Sequence, residues 1–350
     1  MKIELLSSIT NVIDAVKISI SRSVNKKMTL TYFFIGYYIV EHEQSGESRA
    51  SYSKEILKFL SLELTKIYGK GYSVDNLENM RKFYLAYRSR LPLTISLQKS
   101  ENFSRIFEDQ NNIPFQLGWS HYVLLSRIKD SDERKFYELE SIQSNWGIEE
   151  LKRQFDSSLY ERLILSRDKK QVTDLAQKGQ IIEKPTDVIK DPYVLEFLGL
   201  EGNSTYSETD LETAIINQLE HFMLELGKGF LFAGRQIRFT FDEEHYYVDL
   251  VFYNRLLRCF VLIDLKIGKL KHQDLGQMLM YVNYYDRFER NEDENNTIGI
   301  IICKDKNDAL VEITLPEDND QIFASKYQLY LPSKKELQQQ VLEVVIGRSK

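Results

Sequence analysis

A chain of 350 residues is long enough for two domains with cores of their own, and a composition 43% hydrophobic and 28% charged excludes a largely disordered protein. Lys and Arg total 46 against 52 Asp and Glu, a net charge of -6, so any binding of nucleic acid has to come from local basic patches. Two cysteines outside any CxxC pattern exclude a disulfide framework or a structural zinc site; the start MKIELLSSIT lacks the apolar core of a signal peptide and TLTYFFIGYYIVEHE is too short to span a bilayer, which predicts a cytoplasmic protein with no membrane contact.

Helical periodicity dominates residues 8–166. Ile9, Val12, Ile13, Val16 and Ile20 recur at helical spacing, residues 30–43 form a second helix, and residues 54–68 a third, with Ile56, Leu57, Leu60, Leu62, Leu64 and Ile67 largely on one stripe. Gly69 and Gly71 break the pattern. A fourth helix opens at Ser73, an N-cap with Asp75 in the first turn, and has Leu77, Met80, Tyr84 and Tyr87 for its core face. The two helices around the glycine turn have the layout of a helix-turn-helix, and basic residues outnumber acids in them, against the trend of the chain. Arg81, Lys82 and Arg88 are therefore candidate phosphate contacts. A solvated basic face on a helical bundle accounts for the same residues equally well.

Residues 101–116 read as a polar loop, after which helices resume over 120–128, 132–144 and 148–166, with Trp119 and Trp146 as packing anchors. The charged stretch that follows, broken by Pro185 and Pro192, marks a boundary. It divides the chain into a helical domain over 1–180, a linker over 181–205 and a second domain over 206–350.

A helix opening near Thr209 carries Leu211, Ile215, Leu219, Met223 and Leu226 on one face and stops at Gly227 and Gly229. The strand expected over 230–241 holds Arg235 and Gln236, candidate contacts to a phosphate backbone. Two further strands, over 246–254 and 258–266, are rich in Val, Ile, Phe and Tyr, and each is interrupted by a carboxylate, Asp249 in the first and Asp264 in the second. Alternation puts Asp264 and Lys266 on one face and Ile263 and Leu265 on the other. A carboxylate in so apolar a strand must be paired, hydrogen-bonded or bound to a cation. Lys266 could satisfy Asp264 as a structural ion pair, but that leaves Asp249 unexplained. Two carboxylates and one ammonium at one end of a sheet suit a hard divalent cation, with Lys266 acting on a bound water or on charge developing at a phosphate.

Lys269 and Lys271 follow beside that group and are candidate phosphate contacts. A helix over 274–287 carries Gln277 and Tyr281 one turn apart, so both face the same way. Beyond an acidic loop come the strand IGIIIC, a short helix over 307–311 and an edge strand over 327–331, an alternation of α/β character.

The order Asp249, then Asp264-Leu265-Lys266, then Gln277-Met278-Leu279-Met280-Tyr281 resembles the core of the PD-(D/E)XK nucleases with their Q-x-x-x-Y helix, Val248 standing where the nominal motif has proline. Longer segments, GYSVDNLENMRKFY, KDPYVLEFLGL, SETDLE, LELGKGFLFAGRQ, VDLVFYNRLLRCFVLIDLKIGK and GQMLMYVNYYD, are similar to the YhcG family of bacterial proteins, often discussed in connection with mobile elements and defence. The resemblance implies an α+β two-domain chain: an all-helical amino-terminal domain, then an α/β restriction-endonuclease-like domain with a central mixed sheet. It implies a nuclease, acting on DNA, with Mg2+ or Mn2+ held by Asp249, Asp264, the backbone carbonyl of Leu265 and an acid of the preceding helix, Glu212 or Glu220. Glu212 matches the LE pair of the family pattern. Lys266 would then be catalytic, with Gln277 and Tyr281 positioning it or a phosphate. Two alternatives stay open: a nuclease-fold scaffold or DNA-binding adaptor in which Asp264 and Lys266 are a structural pair, and a nuclease directed at RNA. Cutting of both strands would call for a homodimer.

Overall fold

The computed structural model describes residues 24–42, 50–90, 113–165, 174–175, 177–200, 206–335 and 337–339. The chain divides into two compact units, Met1–Lys152 and Arg153–Lys350. No helix among the described residues is long and apolar enough to cross a membrane.

The first unit is helical: α1 (24–42), α2 (Ala50–Tyr68), α3 (Val74–Tyr87), α4 (Trp119–Leu125), α5 (Ser131–Gln143) and the start of α6 (Ile148–Asp156). Ser73 caps α3 by accepting a hydrogen bond from the Asn76 N–H at 3.2 Å, and Leu77, Met80, Tyr84 and Tyr87 are buried. The core around them is aromatic, with Phe83 at 5.7 Å from Phe33 and 4.9 Å from both Phe115 and Tyr122, ring centre to ring centre. Helices α1 and α3 approach closely because Gly36 has no side chain: a Cβ there would stand 2.1 Å from the Met80 carbonyl oxygen. The stripe expected on α2 is narrower than the sequence suggests. Leu57 is buried, but Leu62 and Ile67 are 66% and 65% exposed. Five residues from Leu57, Leu62 has turned about 140° round the helix. The helix expected over 9–20 and the loop residues 101–112 lie outside the described residues; the loop's far end, at Ile113 and Phe115, is buried.

The second unit is built on a six-stranded mixed sheet in the order β1-β6-β5-β4-β3-β2. Its strands are β1 (Tyr193–Val194), β2 (Phe230–Phe241), β3 (Glu244–Asn254), β4 (Cys259–Lys269), β5 (Ile298–Asp305) and β6 (Ile322–Gln328). Strands β2, β3 and β4 pair antiparallel, and β4, β5, β6 and β1 pair parallel. On one face α8 (Glu208–Asn217) and α9 (Leu219–Leu226) bring Leu211, Ile215, Phe222 and Leu226 into a core with Leu250, Phe252, Ile263 and Leu265. On the other, α10 (His272–Tyr284) packs Leu275, Met278, Tyr281 and Val282 with Leu262, Ile301 and Cys303. Covered on both faces, β4 needs its continuous apolar run. Gly299 lets α10 sit low on the sheet, since a Cβ there would stand 2.6 Å from the Met278 side chain.

Four expectations change. The helix over 148–166 is two helices, α6 and α7 (Leu159–Leu165), broken where Ser158 turns left-handed at φ 53° and Arg162 Nε takes the freed Ser157 carbonyl at 2.9 Å. The helix near Thr209 is likewise two, parted at Gln218. Residues 181–200, read as linker, supply β1 and bury Val188, Tyr193, Val194 and Leu195. The last strand is not an edge: β6 runs between β5 and β1.

Candidate active site

Strands β3 and β4 pair with Leu250 opposite Ile263 and Val251 opposite Leu262. One step further, that register sets Asp249 against Asp264, and both carboxylates fall on one face. Asp249 Oδ2 accepts a hydrogen bond from the Leu265 N–H at 2.8 Å. Asp264 is only 2% exposed, and Lys266 Nζ lies 2.8 Å from its Oδ2. Among the described residues, Lys266 is the one cation at that buried oxygen. Burial, and after it repulsion from Asp249, push Asp264 up to about 7; the Lys266 ammonium offsets this only in part. Burial also disfavours the charged Lys266, but the attraction of Asp264, then of Glu208 and Asp249, outweighs it and holds the lysine above its ordinary value.

Helix α8 aims two acids at this point. Its start is fixed by a capping box, the Asp210 N–H donating to Ser207 Oγ at 3.1 Å and the Ser207 N–H to Asp210 Oδ2 at 2.8 Å. Glu208 and Glu212 then lie one turn apart. Glu208 Oε2 is 3.8 Å from Lys266 Nζ. Glu212, 7% exposed, accepts a hydrogen bond from Gln236 Nε2 at 2.7 Å, and the same nitrogen donates to Asp249 Oδ1 at 3.0 Å. Burial and the nearby Asp249 charge raise Glu212 while the Gln236 bond pulls it down, and the net is upward. Glu220, the other candidate helix acid, sits exposed on α9.

On α10, Gln277 Nε2 donates to the Tyr281 hydroxyl, which donates in turn to the Tyr247 carbonyl of β3 at 2.9 Å. Burial, and the charges of Asp264 and Asp249, raise the Tyr281 hydroxyl against the effect of the Gln277 bond, so it stays protonated. Arg235 is exposed on β2 with its charge felt at Glu212. Lys269 ends β4 exposed beside Asp305, and Lys271 stands at the N-cap of α10, its N–H held by Asp274 at 2.8 Å. In the first unit α3 carries its own counter-charge: Arg81 and Lys82 lie 3.4 and 3.7 Å from Glu78 Oε1. Arg88 is exposed in the turn Arg88–Arg90, whereas Arg90 is committed to both oxygens of buried Glu138.

Among the described residues no three His, Cys, Asp or Glu side chains gather closely enough to hold a metal by themselves. The group that suits a hard cation is the pair Asp249 and Asp264: all-oxygen donors, one of them buried, with mutual repulsion that a single lysine offsets only in part. Glu212 is one amide away, behind Gln236. Glu208 joins the site without a motif to mark it, although its spacing of four from Glu212 is a usable signal. Gln236, expected at a phosphate backbone, bonds two acids instead. The amide's link to two acids depends on a sheet register that no local pattern carries.

A mixed sheet with two acids and a lysine on its central strands, backed by a Q-x-x-x-Y helix, defines the PDDEXK class of nuclease domain. Residues 186–342 match the family described as YhcG PDDEXK nuclease domain, and residues 8–162 match the DUF1016 N-terminal domain. "Putative nuclease YhcG" of Escherichia coli (strain K12) is 39% identical over 346 residues, which cover 95% of this chain and 92% of that protein. The chain belongs to the YhcG family. Among solved structures, a repair endonuclease from Pyrococcus abyssi aligns with 37% of the chain at 19% identity and a TM-score of 0.25. The structure of an EndoMS-dsDNA2 complex aligns with 39% at 15% identity and a TM-score of 0.26. These alignments span 50% and 51% of the two solved chains.

Proposed function

We propose that this protein is a divalent-cation-dependent nuclease that hydrolyses phosphodiester bonds of DNA. The observation that carries the proposal is the pair of abutting carboxylates, Asp249 and Asp264, with Lys266 beside them at the centre of a nuclease-family sheet. Asp249, Asp264 and the Leu265 carbonyl would hold Mg2+ or Mn2+, with Glu212 joining directly or through water. When bound, the cation supplies Lewis-acid polarisation of the phosphate and lowers the pKa of a water. Lys266 keeps its proton in this setting, so its part is that of a fixed charge and not a base: it orients the attacking water and offsets negative charge gathering on the phosphate oxygens. Gln277 and Tyr281 hold α10 against the β3 end of the site and position Lys266 or a phosphate. Arg235, Lys269 and Lys271 on the same unit, and Arg81, Lys82 and Arg88 on the helical unit, are proposed phosphate contacts. A homodimer acting in the cytoplasm completes the proposal.

The test is incubation of the purified chain with Mg2+ or Mn2+ and supercoiled, linear or single-stranded DNA, with RNA alongside. Cation-dependent cleavage of DNA, lost in Asp264→Ala, is expected. Cleavage of RNA alone would move the substrate. No cleavage of any form, together with Mn2+ affinity unchanged by Asp264→Ala, would overturn the proposal.

The rival scaffold reading draws on the same site, since Lys266 has two acid partners and Gln236 already bridges Glu212 and Asp249. It predicts that Lys266→Ala leaves the cellular phenotype intact while charge reversal at Arg81 and Lys82 abolishes retention of nucleic acid.

A further inference from the structure

Gln236 occupies an unusual place for an uncharged side chain. It sits inside β2, between Arg235 and Ile237, whose partners on β3 are Leu250 and Val248, so it stands opposite Asp249. Its backbone is left-handed, at φ 47°, a conformation unfavourable for a residue other than glycine and rare within a strand. Its one amide nitrogen lies 2.7 Å from Glu212 Oε2 and 3.0 Å from Asp249 Oδ1. Ionised carboxylates only accept hydrogen bonds, so the nitrogen, and not the amide oxygen, must face them. The amide thus presents two N–H groups where two acids from different elements converge.

We propose that Gln236 is a displaceable placeholder in the metal site: its amide nitrogen stands in the gap between Glu212 and Asp249 that a divalent cation would occupy, and the two exclude one another. The inference rests on the cation-site reading above. An N–H carries its hydrogens toward the acids and cannot ligate a cation, so Glu212 can reach an ion shared with Asp249 only after the amide has turned away. The placeholder has two consequences. It satisfies acids that would otherwise repel one another across the sheet edge, and it makes every cation entering between Glu212 and Asp249 compete with two charge-assisted hydrogen bonds. The left-handed backbone aims the side chain at the gap, and an amide that gives up its acids can swing toward solvent, because Gln236 is an exposed residue.

The experiment is a Mn2+ titration by calorimetry on the full chain after chelator treatment and dialysis. Wild type, Gln236→Met and Asp264→Asn are compared, with unfolding temperatures of the chelated proteins measured in parallel. Methionine keeps the length of the side chain and removes both donors. Gln236→Met should bind Mn2+ about a hundredfold more tightly than wild type, the effect of two charge-assisted hydrogen bonds no longer broken on entry. Its unfolding temperature without metal should be lower, and its gain on adding Mn2+ larger. Gln236→Gly, which also relieves the left-handed backbone, should show the same tightening and covers the case in which methionine does not fold. Equal or weaker Mn2+ binding by both variants, with wild-type binding that Asp264→Asn abolishes, overturns the placeholder alone. Mn2+ binding that is absent from wild type, or unchanged by Asp264→Asn, overturns the cation site and the placeholder with it.

Discussion

Two of the carboxylates buried in the carboxyl-terminal unit, Glu225 and Asp264, are treated in opposite ways. Glu225 on α9, 0% exposed, lies among three cations: Arg162 pairs with its Oε1, Arg153 Nη2 is 3.3 Å from its Oε2, and Lys190 bonds its backbone carbonyl. The Val194 N–H adds a hydrogen bond at 3.1 Å. Burial by itself would raise Glu225, but Arg162 first, then Lys190 and Arg153, outweigh it and pull the carboxyl down to about 2. Asp264 has one cation and a second carboxylate, and it goes the other way, to about 7. The first cluster is closed, its charge balanced by side chains that the fold itself supplies, and it ties α7 and β1 to α9. The second is short of positive charge at a place where β3, β4 and α8 bring acids together. Perturbed and under-compensated groups of this kind mark functional positions, whereas compensated ones mark architecture.

The contrast is sharpest in stability. Glu225→Ala leaves Arg162 buried without its carboxylate and should cost about 3–5 kcal/mol in urea unfolding. A cost under about 1 kcal/mol would mean that the cluster is not structural. Asp264→Asn, in chelator, should do the reverse and stabilise by about 1–4 kcal/mol, because it removes a buried charge facing a like charge. Destabilisation there would sink the comparison.

The pH dependence follows with opposite signs. Glu225 is lowered from 4.5 to about 2, so its stabilisation is complete above about 4.5 and is lost as pH falls towards 2. Asp264 is raised from 3.8 to about 7, so it costs nothing at low pH, and the cost grows as pH rises from about 4 to about 7 and is constant above. Chelated wild type should therefore gain stability on leaving strong acid and lose some of it again on approaching neutrality. Asp264→Asn should remove most of the second change, the rest belonging to Glu212, which is also raised, and should leave the first untouched; Mn2+ at pH 8 should restore what wild type has lost.

How much of this was readable from sequence divides along the same line. Strand β2 runs over the residues that its apolar pattern predicted, and Asp249, Asp264 and Lys266 stood out as charges in apolar strands. The closed cluster was invisible. Glu225 lies 63 residues from Arg162 and 35 from Lys190, beyond anything a helical or strand period can report, and β1 is two residues long. Gln236 escaped for the same reason, since its acids are 24 and 13 residues away. Packing distance was equally unreadable at Gly299, which looked like one more strand residue. Gly299→Ala should cost about 1–3 kcal/mol by forcing Met278 and α10 outward. Because α10 carries Gln277 and Tyr281, cleavage should fall with it while Mn2+ affinity stays close to wild type.

The smallest effect tests whether α10 belongs to the open cluster or only leans on it. Tyr281→Phe keeps the ring, which meets Phe239 edge-on at 5.5 Å between centres, and removes only the hydroxyl between Gln277 and the Tyr247 carbonyl. The stability cost should be about 1 kcal/mol, two neutral hydrogen bonds at the low end of their net contribution. If the pair acts by holding the β3 end against α10, then Gln277→Ala lowers kcat by a similar factor, the double variant is no worse than either single one, and Mn2+ affinity is unchanged in all three. Additive losses would mean that the two side chains act separately, and a fall in Mn2+ affinity would move Tyr281 into the cation site itself. Tyr281 feels the charges of Asp264 and Asp249 but donates its proton to a backbone carbonyl and not to either acid, so the pair stands one step outside the proposed ligand set.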